Sequence, residues 1–173
     1  MKKITISLST RSIDNALKEI ELYKAKIHKT SANLVSFMSA YGEEAMINRL
    51  SHIDTGETLS SIYAKPTFVS KGICRGGIVA GGKTKWIEFG TGVAKNHSEH
   101  ESKDHLRSKG VNISNIGQYG KGNGSNPNGW RYKDENGVWH WTKGIKANKY
   151  MYYTAQELRR KYKSWARQIF KNN

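Results

Sequence analysis

Ile53-Asp54-Thr55-Gly56 with Leu59-Ser60-Ser61-Ile62 after it, and then Trp86-Ile87-Glu88-Phe89-Gly90-Thr91-Gly92, are the two phrases on which the fold turns. Each joins a turn built from small or capping residues to a stretch that needs burial, which describes a packing and docking surface rather than an active site. Asp54 reads as an N-cap for the turn from Thr55 to Ile62. Between the phrases, from Ile62 to Phe89, the pattern has period two with β-branched and aromatic residues. Pro66, Lys71-Gly72 and Gly81-Gly82 punctuate it, which predicts a small antiparallel meander. Glu88 alone among the acidic residues sits between apolar neighbours, so it is the one expected to be buried. Its expected role is a hydrogen-bond anchor for backbone amides rather than acid-base chemistry, for which paired carboxylates would need one pKa raised by burial.

On the N-terminal side, the alternation of Ile4-Thr5-Ile6-Ser7-Leu8 predicts a strand, and Ser9 or Thr10 offers the cap of a helix. Ile13, Ala16, Ile20, Tyr23 and Ile27 recur at three- and four-residue steps, an apolar face that must find a partner. Thr30 or Ser31 either caps a second helix, with Leu34, Met38, Tyr41 and Ala45 as its stripe, or lies within one long bent helix. On the C-terminal side, Met151, Ala155, Leu158, Tyr162, Trp165 and Ile169 predict a closing amphipathic helix. Arg159, Arg160, Lys161, Lys163, Arg167 and Lys171 decorate its other faces.

Residues 93 to 129 lack periodicity and are rich in Gly, Asn, Ser and Lys, so ordering them costs more than their burial returns. They are expected to form a long mobile insertion. Trp130-Arg131-Tyr132-Lys133 and Val138-Trp139-His140-Trp141 then flank Asp134-Glu135-Asn136-Gly137, predicting an aromatic hairpin over about 130–142. The fold class is α+β: N-terminal helices and a C-terminal amphipathic helix packed on a small antiparallel sheet, with the insertion looping out of a single domain spanning 1–173.

The 173 residues suit one core. A hydrophobic share of 36% and 17 glycines fit a compact core carrying a sizeable polar segment. The formal charge of +15 favours acidic protein surfaces, nucleic acid or anionic membrane as neighbours, with strong salt dependence. The lone Cys74 excludes an intrachain disulfide framework and reads as a small strand side chain. The N-terminal apolar run is too short for a signal peptide, and no window approaches a membrane span, which points to a soluble product of a cytoplasm.

Three patterns invite chemistry. Gly77-Ile78-Val79-Ala80-Gly81-Gly82-Lys83-Thr84 has the P-loop spacing, but that site needs a helix after Lys-Thr, and Trp86 to Gly90 looks too short for one. His97, His100 and His105 with Glu99, Glu101 and Asp104 are suitable metal ligands without thiolates or a rigid frame to hold them. Ser60, Ser61, His52 and Asp54 are close in sequence only. No cofactor, metal or catalytic residue is expected. The aromatic hairpin suits stacking on bases or sugars, and Gly129-Trp130 with Gly137-Val138-Trp139 looks like one unit of the choline-binding repeats. Packing of its aromatic residues onto the core or onto a neighbouring subunit is the reading favoured at this point.

Asp54-Thr55-Gly56 with Leu59, Ser61 and Ile62, then Ile87-Glu88-Phe89-Gly90-Thr91-Gly92, then Lys143-Gly144-Ile145-Lys146-Ala147 leading through Tyr150-Met151 into Leu158, give the chain a family likeness. It resembles the tail-component family of long-tailed bacteriophages, the tail-completion or neck proteins. The match runs in order over two thirds of the chain. It departs from the family at Asn148-Lys149, where a proline is usual, and in the long insertion from about 93 to 142. The resemblance implies a non-enzymatic virion or prophage protein, assembled in the host cytoplasm, that completes the tail and helps join it to the head. Its partners would be connector proteins and tail tube or terminator proteins. It would sit in a ring, sixfold to match a tail tube, with Trp86, Phe89 and the strand around Ile78 at or beneath the subunit contact. Arg159, Arg160, Lys163 and Arg167 would face DNA in the lumen or an acidic partner. A basic nucleic-acid-binding module, or a cell-wall ligand module built on the Trp hairpin, are the alternative classes.

Overall fold

The computed structural model describes residues 7, 9–50, 56–81, 83–90 and 129–171. The expected strand over residues 4 to 8 lies outside them except for Ser7. So do Asp54, Thr55, Thr91, Gly92, the His97 to His105 cluster and, but for Gly129, the insertion.

The first element is a single 41-residue helix, α1 (Thr10–Leu50). Ser9 starts it, its Oγ accepting from Ser12 N at 3.3 Å while its carbonyl accepts from Ile13 N. The chain runs through Thr30-Ser31 without a break, so the two-helix alternative is not the one adopted. Thr30 is buried in mid-helix rather than capping. Nothing in the stretch forces a stop: it has no proline, and its one glycine is Gly42.

A short helix, α2 (Gly56–Ser60), leads into the antiparallel hairpin β1 (Ile62–Ser70) and β2 (Ile73–Ala80). Lys71 and Gly72 both take positive φ, the two-residue turn whose twist suits a hairpin. The ladder slips between Lys65 and Phe68, around Pro66, which has no N–H to donate. Glu43 of α1 accepts from Ala64 N at 2.8 Å and ties the helix to that strand.

The meander stops there. Thr84–Phe89 is a helix, α3, not a third strand. Ile87 and Glu88, adjacent in sequence, are both buried, which alternation across a sheet would forbid and a helical turn allows. Over six residues the periods of 2 and 3.6 are not separable. A second two-stranded sheet, β3 (Trp130–Lys133) with β4 (Trp139–Thr142), precedes the closing helix α4 (Tyr150–Lys171).

Helix α1 lies between the first hairpin and α4, and the three meet at Gly42. A Cβ there would fall 2.4 Å from Ile78 Cδ1 and 3.2 Å from Leu158 Cδ1, so any larger residue would push the ends of both side chains aside. The core sits at the C-terminal end of α1: Met46, Leu50, Ile62, Ile87 and Tyr150, flanked by Ile47, Leu59, Ile78 and Ala80.

Helix α4 runs antiparallel to α1. Leu158 and Trp165 of its expected stripe face inward, but Met151 and Tyr162 stay exposed, and polar Thr154, Glu157 and Lys161 take the inward places. The Trp165 ring meets Phe37 and Tyr41 edge-on at 5.1 and 4.8 Å. Glu157 collects three donors: Arg49 at 2.8 Å, Lys161 at 2.6 Å and the Tyr41 hydroxyl. Lys161, then Tyr41 and Arg49, hold the Glu157 carboxyl down at about 2.

Because the unfolded carboxyl protonates near 4.5 and the folded one near 2, the clamp contributes fully above pH 4.5 and is lost as pH falls toward 2. Glu157→Gln is expected to flatten the fall in Tm across that window, as followed by circular dichroism, and to leave the neutral-to-alkaline profile parallel to that of the parent.

Candidate functional site

Sequence placed the functional weight on Trp86 to Gly92, and the described part of that phrase forms a joint with the segment leading into α4. Helix α3 ends with carbonyls that have no intrahelical partner, and α4 begins with amides in the same position. The two helices satisfy each other. Asn148 N donates to Ile87 O at 2.9 Å and Lys149 N to Glu88 O at 3.2 Å. In return, the Glu88 side chain accepts from Met151 N at 2.7 Å and Tyr152 N at 3.0 Å.

Glu88 is thus the N-terminal cap of a helix that starts 62 positions later, and it is only 2% exposed. A carboxylate suits that place, since it meets the positive end of the helix dipole. Lys149, at the cap position itself, has no side-chain acceptor and takes φ +59. The distant carboxylate therefore supplies what the local residue lacks.

Gly90 closes the joint. Its φ is +77, and a Cβ would lie 2.7 Å from Ala147 N and 2.9 Å from Ile145 O, both backbone atoms that cannot swing aside. Tyr150, the first residue of α4, is fully buried beside Thr84. Burial pushes its phenol up to about 12. The neighbouring Thr84 works against that shift and the charge of Glu88 adds to it. The Thr84 hydroxyl is itself committed to Gly81 O at 2.6 Å, and the Tyr150 hydroxyl has no partner at hydrogen-bond geometry among the described residues.

The P-loop pattern comes out differently from its sequence reading, because a helix does begin at Thr84 after strand β2. The surroundings are not those of a phosphate cradle. The strand belongs to an antiparallel hairpin, the Thr84 hydroxyl is spent on Gly81, and the exposed Lys83 lies 3.7 Å from Glu57. Among the described residues no three His, Cys, Asp or Glu side chains stand close enough to hold a metal.

The remaining sequence candidates are spread out. Gly56 is exposed, Leu59 and Ile62 pack at the core, and Trp86 and Phe89 are half-buried. Arg159, Arg160, Lys163 and Arg167 are all exposed on α4. Cys74, on β2, sits with its thiol 3.7 Å from His28 O.

Two surfaces among the described residues stand out for the large apolar side chains they expose. Before His28, α1 outruns its partners: the first hairpin turns at Lys71-Gly72 beside His28, and α4 stops less than two turns beyond Trp165. Roughly 27 Å of helix projects past them, with Ile13, Leu17, Ile20, Tyr23 and Ile27 exposed, Leu17 by 55% and Ile20 by 50%. Only Ala16 of the expected stripe is buried. The second surface is the β3–β4 hairpin, whose Tyr132, Trp139 and Trp141 are exposed rather than packed onto the core, the first of the two placements expected for them. Sequence reasoning passed over Arg49 and Glu157, since nothing in the chain links positions so far apart.

Glu88→Ala would strand two amides at the start of α4 and is expected to cost about 3 kcal/mol, and Glu88→Gln, which keeps one acceptor, about 2 kcal/mol. Gly90→Ala is expected to cost at least about 2 kcal/mol through backbone overlap and the positive φ. Urea unfolding of the three variants checks both the order and the size. Comparison of the chain with protein-family models, with curated proteins and with solved structures finds no match.

Proposed function

We propose that the protein is a non-enzymatic structural component of the tail top or neck of a long-tailed bacteriophage, completing the tail and helping to join it to the head. The observation that carries this reading is the set of exposed apolar side chains on α1 before His28, which no other described helix or strand covers. Covering a Leu or Ile side chain that is about half exposed returns on the order of 1 kcal/mol. Four such residues in line therefore favour a docked state by several kcal/mol, more than a solvated helix face offers. Contiguous apolar surface of this kind marks a protein-protein contact.

A second line of support is that two of the three segments that carry the tail-component resemblance lie against each other. Ile87 to Gly90 seats on Ile145 to Lys149, so the likeness spans one structural unit rather than scattered words. In this reading the subunit is a rigid body and mechanism is interface geometry. Copies join a ring, sixfold to match a tail tube, in which a patch on one subunit meets a different patch on the next. Connector proteins lie on one side and tail tube or terminator proteins on the other. Arg159, Arg160, Lys163 and Arg167 form an exposed basic face suited to DNA in the lumen or to an acidic partner.

The test is co-sedimentation with tails from the phage or prophage that encodes the chain, followed by negative-stain imaging. The parent protein is expected to decorate one end of the tube. Leu17→Glu with Ile20→Glu should remain in the supernatant while its Tm stays within a few degrees of the parent, because both side chains are already exposed. Equal decoration by that variant, or failure of the parent to bind either end, would refute the reading.

A further inference from the structure

The β3–β4 hairpin has two different faces. Its register pairs Arg131 with Trp141 and Lys133 with Trp139 on one side, and Tyr132 with His140 on the other. The second face is internally satisfied: Tyr132 stacks on His140 at 5.3 Å, and His140 Nε2 meets Asp134 Oδ2 at 2.8 Å. The first face is not. Trp139 is 65% exposed and Trp141 53%, with Lys133 and Arg131 exposed beside them.

Each cation lies 5.9 to 6.0 Å from the ring opposite it, at the outer limit of a cation–π contact, so neither is consumed by its aromatic neighbour. Of the two carboxylates in the turn, Asp134 is turned away onto His140 and onto the turn amides of Asn136 and Val138, and Glu135 is exposed beyond the end of the β3–β4 ladder. A two-stranded hairpin is marginal by itself. This one spends large aromatic side chains on surface where they return nothing until they are covered.

We propose that the face formed by Arg131, Lys133, Trp139 and Trp141 is a binding site for single-stranded nucleic acid. The two indoles stand at alternate positions of one strand, about 7 Å apart along it, and offer two flat platforms side by side. An unpaired base stacks on such a platform whatever its identity. A duplex keeps its bases stacked inside and has no free base face to lay there.

The polar groups on the face select the rest of the ligand. Lysine and arginine only donate hydrogen bonds, phosphate oxygens only accept them, and each neutral sugar hydroxyl brings a proton that needs an acceptor these four side chains lack. An acidic peptide would satisfy the cations but leave the two ring faces uncovered. A strand carrying a phosphate and a ring at every step satisfies both. The site is separate from the α1 arm, and its assignment does not rest on the tail reading.

The experiment is fluorescence anisotropy of a labelled oligothymidylate with the full-length protein at low and moderate salt. Duplex DNA, a neutral chito-oligosaccharide and polyglutamate serve as competitors. The oligothymidylate is expected to bind more tightly than all three. Trp139→Ala and Trp141→Ala should each weaken it roughly 10- to 100-fold, while Trp139→Phe keeps most of the affinity. Arg131→Gln with Lys133→Gln should reduce the slope of log affinity against log salt by about 0.7 for each phosphate released. All four side chains are exposed, and an unchanged Tm verifies that the variants fold. Absence of binding, affinity indifferent to both tryptophans, duplex bound as tightly, or tighter binding of the oligosaccharide or polyglutamate would each overturn the assignment.

Discussion

The carboxylate of Glu88 at the start of α4 is the contact on which the rest of the arrangement depends. Helix α4 has no capping side chain of its own, because Lys149 occupies the cap position. Without a distant acceptor its first amides would be buried and unpaired, a cost of a few kcal/mol against a total stability usually in the range of 5–15. Placing the acceptor on α3 does more than satisfy those amides. It fixes where α4 begins, hence which of its residues face α1, hence the alignment of Trp165 with Phe37 and Tyr41 and of Glu157 with Arg49.

The inward face of α4 follows from that anchoring. Apolar spacing alone favours Met151 and Tyr162 for the buried stripe, yet both remain in contact with water. Polar constraints at two points along the helix, the Glu88 cap and the Glu157 clamp, set its rotation instead. A polar network that is fully paired specifies orientation more sharply than a greasy stripe, which tolerates small turns about the axis. The Glu157 clamp joins residues from the two ends of the chain, so it exists only once the helices are docked.

What could be read from the chain divides along the same physical line. Local signals held: the helix starting at Ser9, the two-residue turn at Lys71-Gly72, the β1–β2 pairing, the Asp134-to-Gly137 hairpin and the presence of a closing helix each rest on neighbours in sequence. The burial of Glu88 was legible because a lone acid among Ile, Trp and Phe has little choice. What escaped was set by distance or brevity. Six residues from Thr84 to Phe89 carry too little period to distinguish helix from strand. The fate of the hairpin tryptophans depended on whether the core had room beside them, and the Arg49–Glu157 pairing on how two helices cross. For the α1 stripe, spacing announced an apolar face needing a partner, and the chain's own sheet and closing helix end before reaching it.

The contact between Gly90 and the backbone of Ile145 to Ala147 brings two positions far apart in sequence to one spot. A second, inner closure repeats this where Gly129 presses on the Thr142 carbonyl. At both places backbone meets backbone, so neither contact depends on the length of chain that lies between its two sides in sequence. Doubling the length of chain between two held ends changes the closure entropy by only about 0.6 kcal/mol. A change of length between Gly90 and Gly129 is therefore a small perturbation to the joint that Gly90 and Ala147 make.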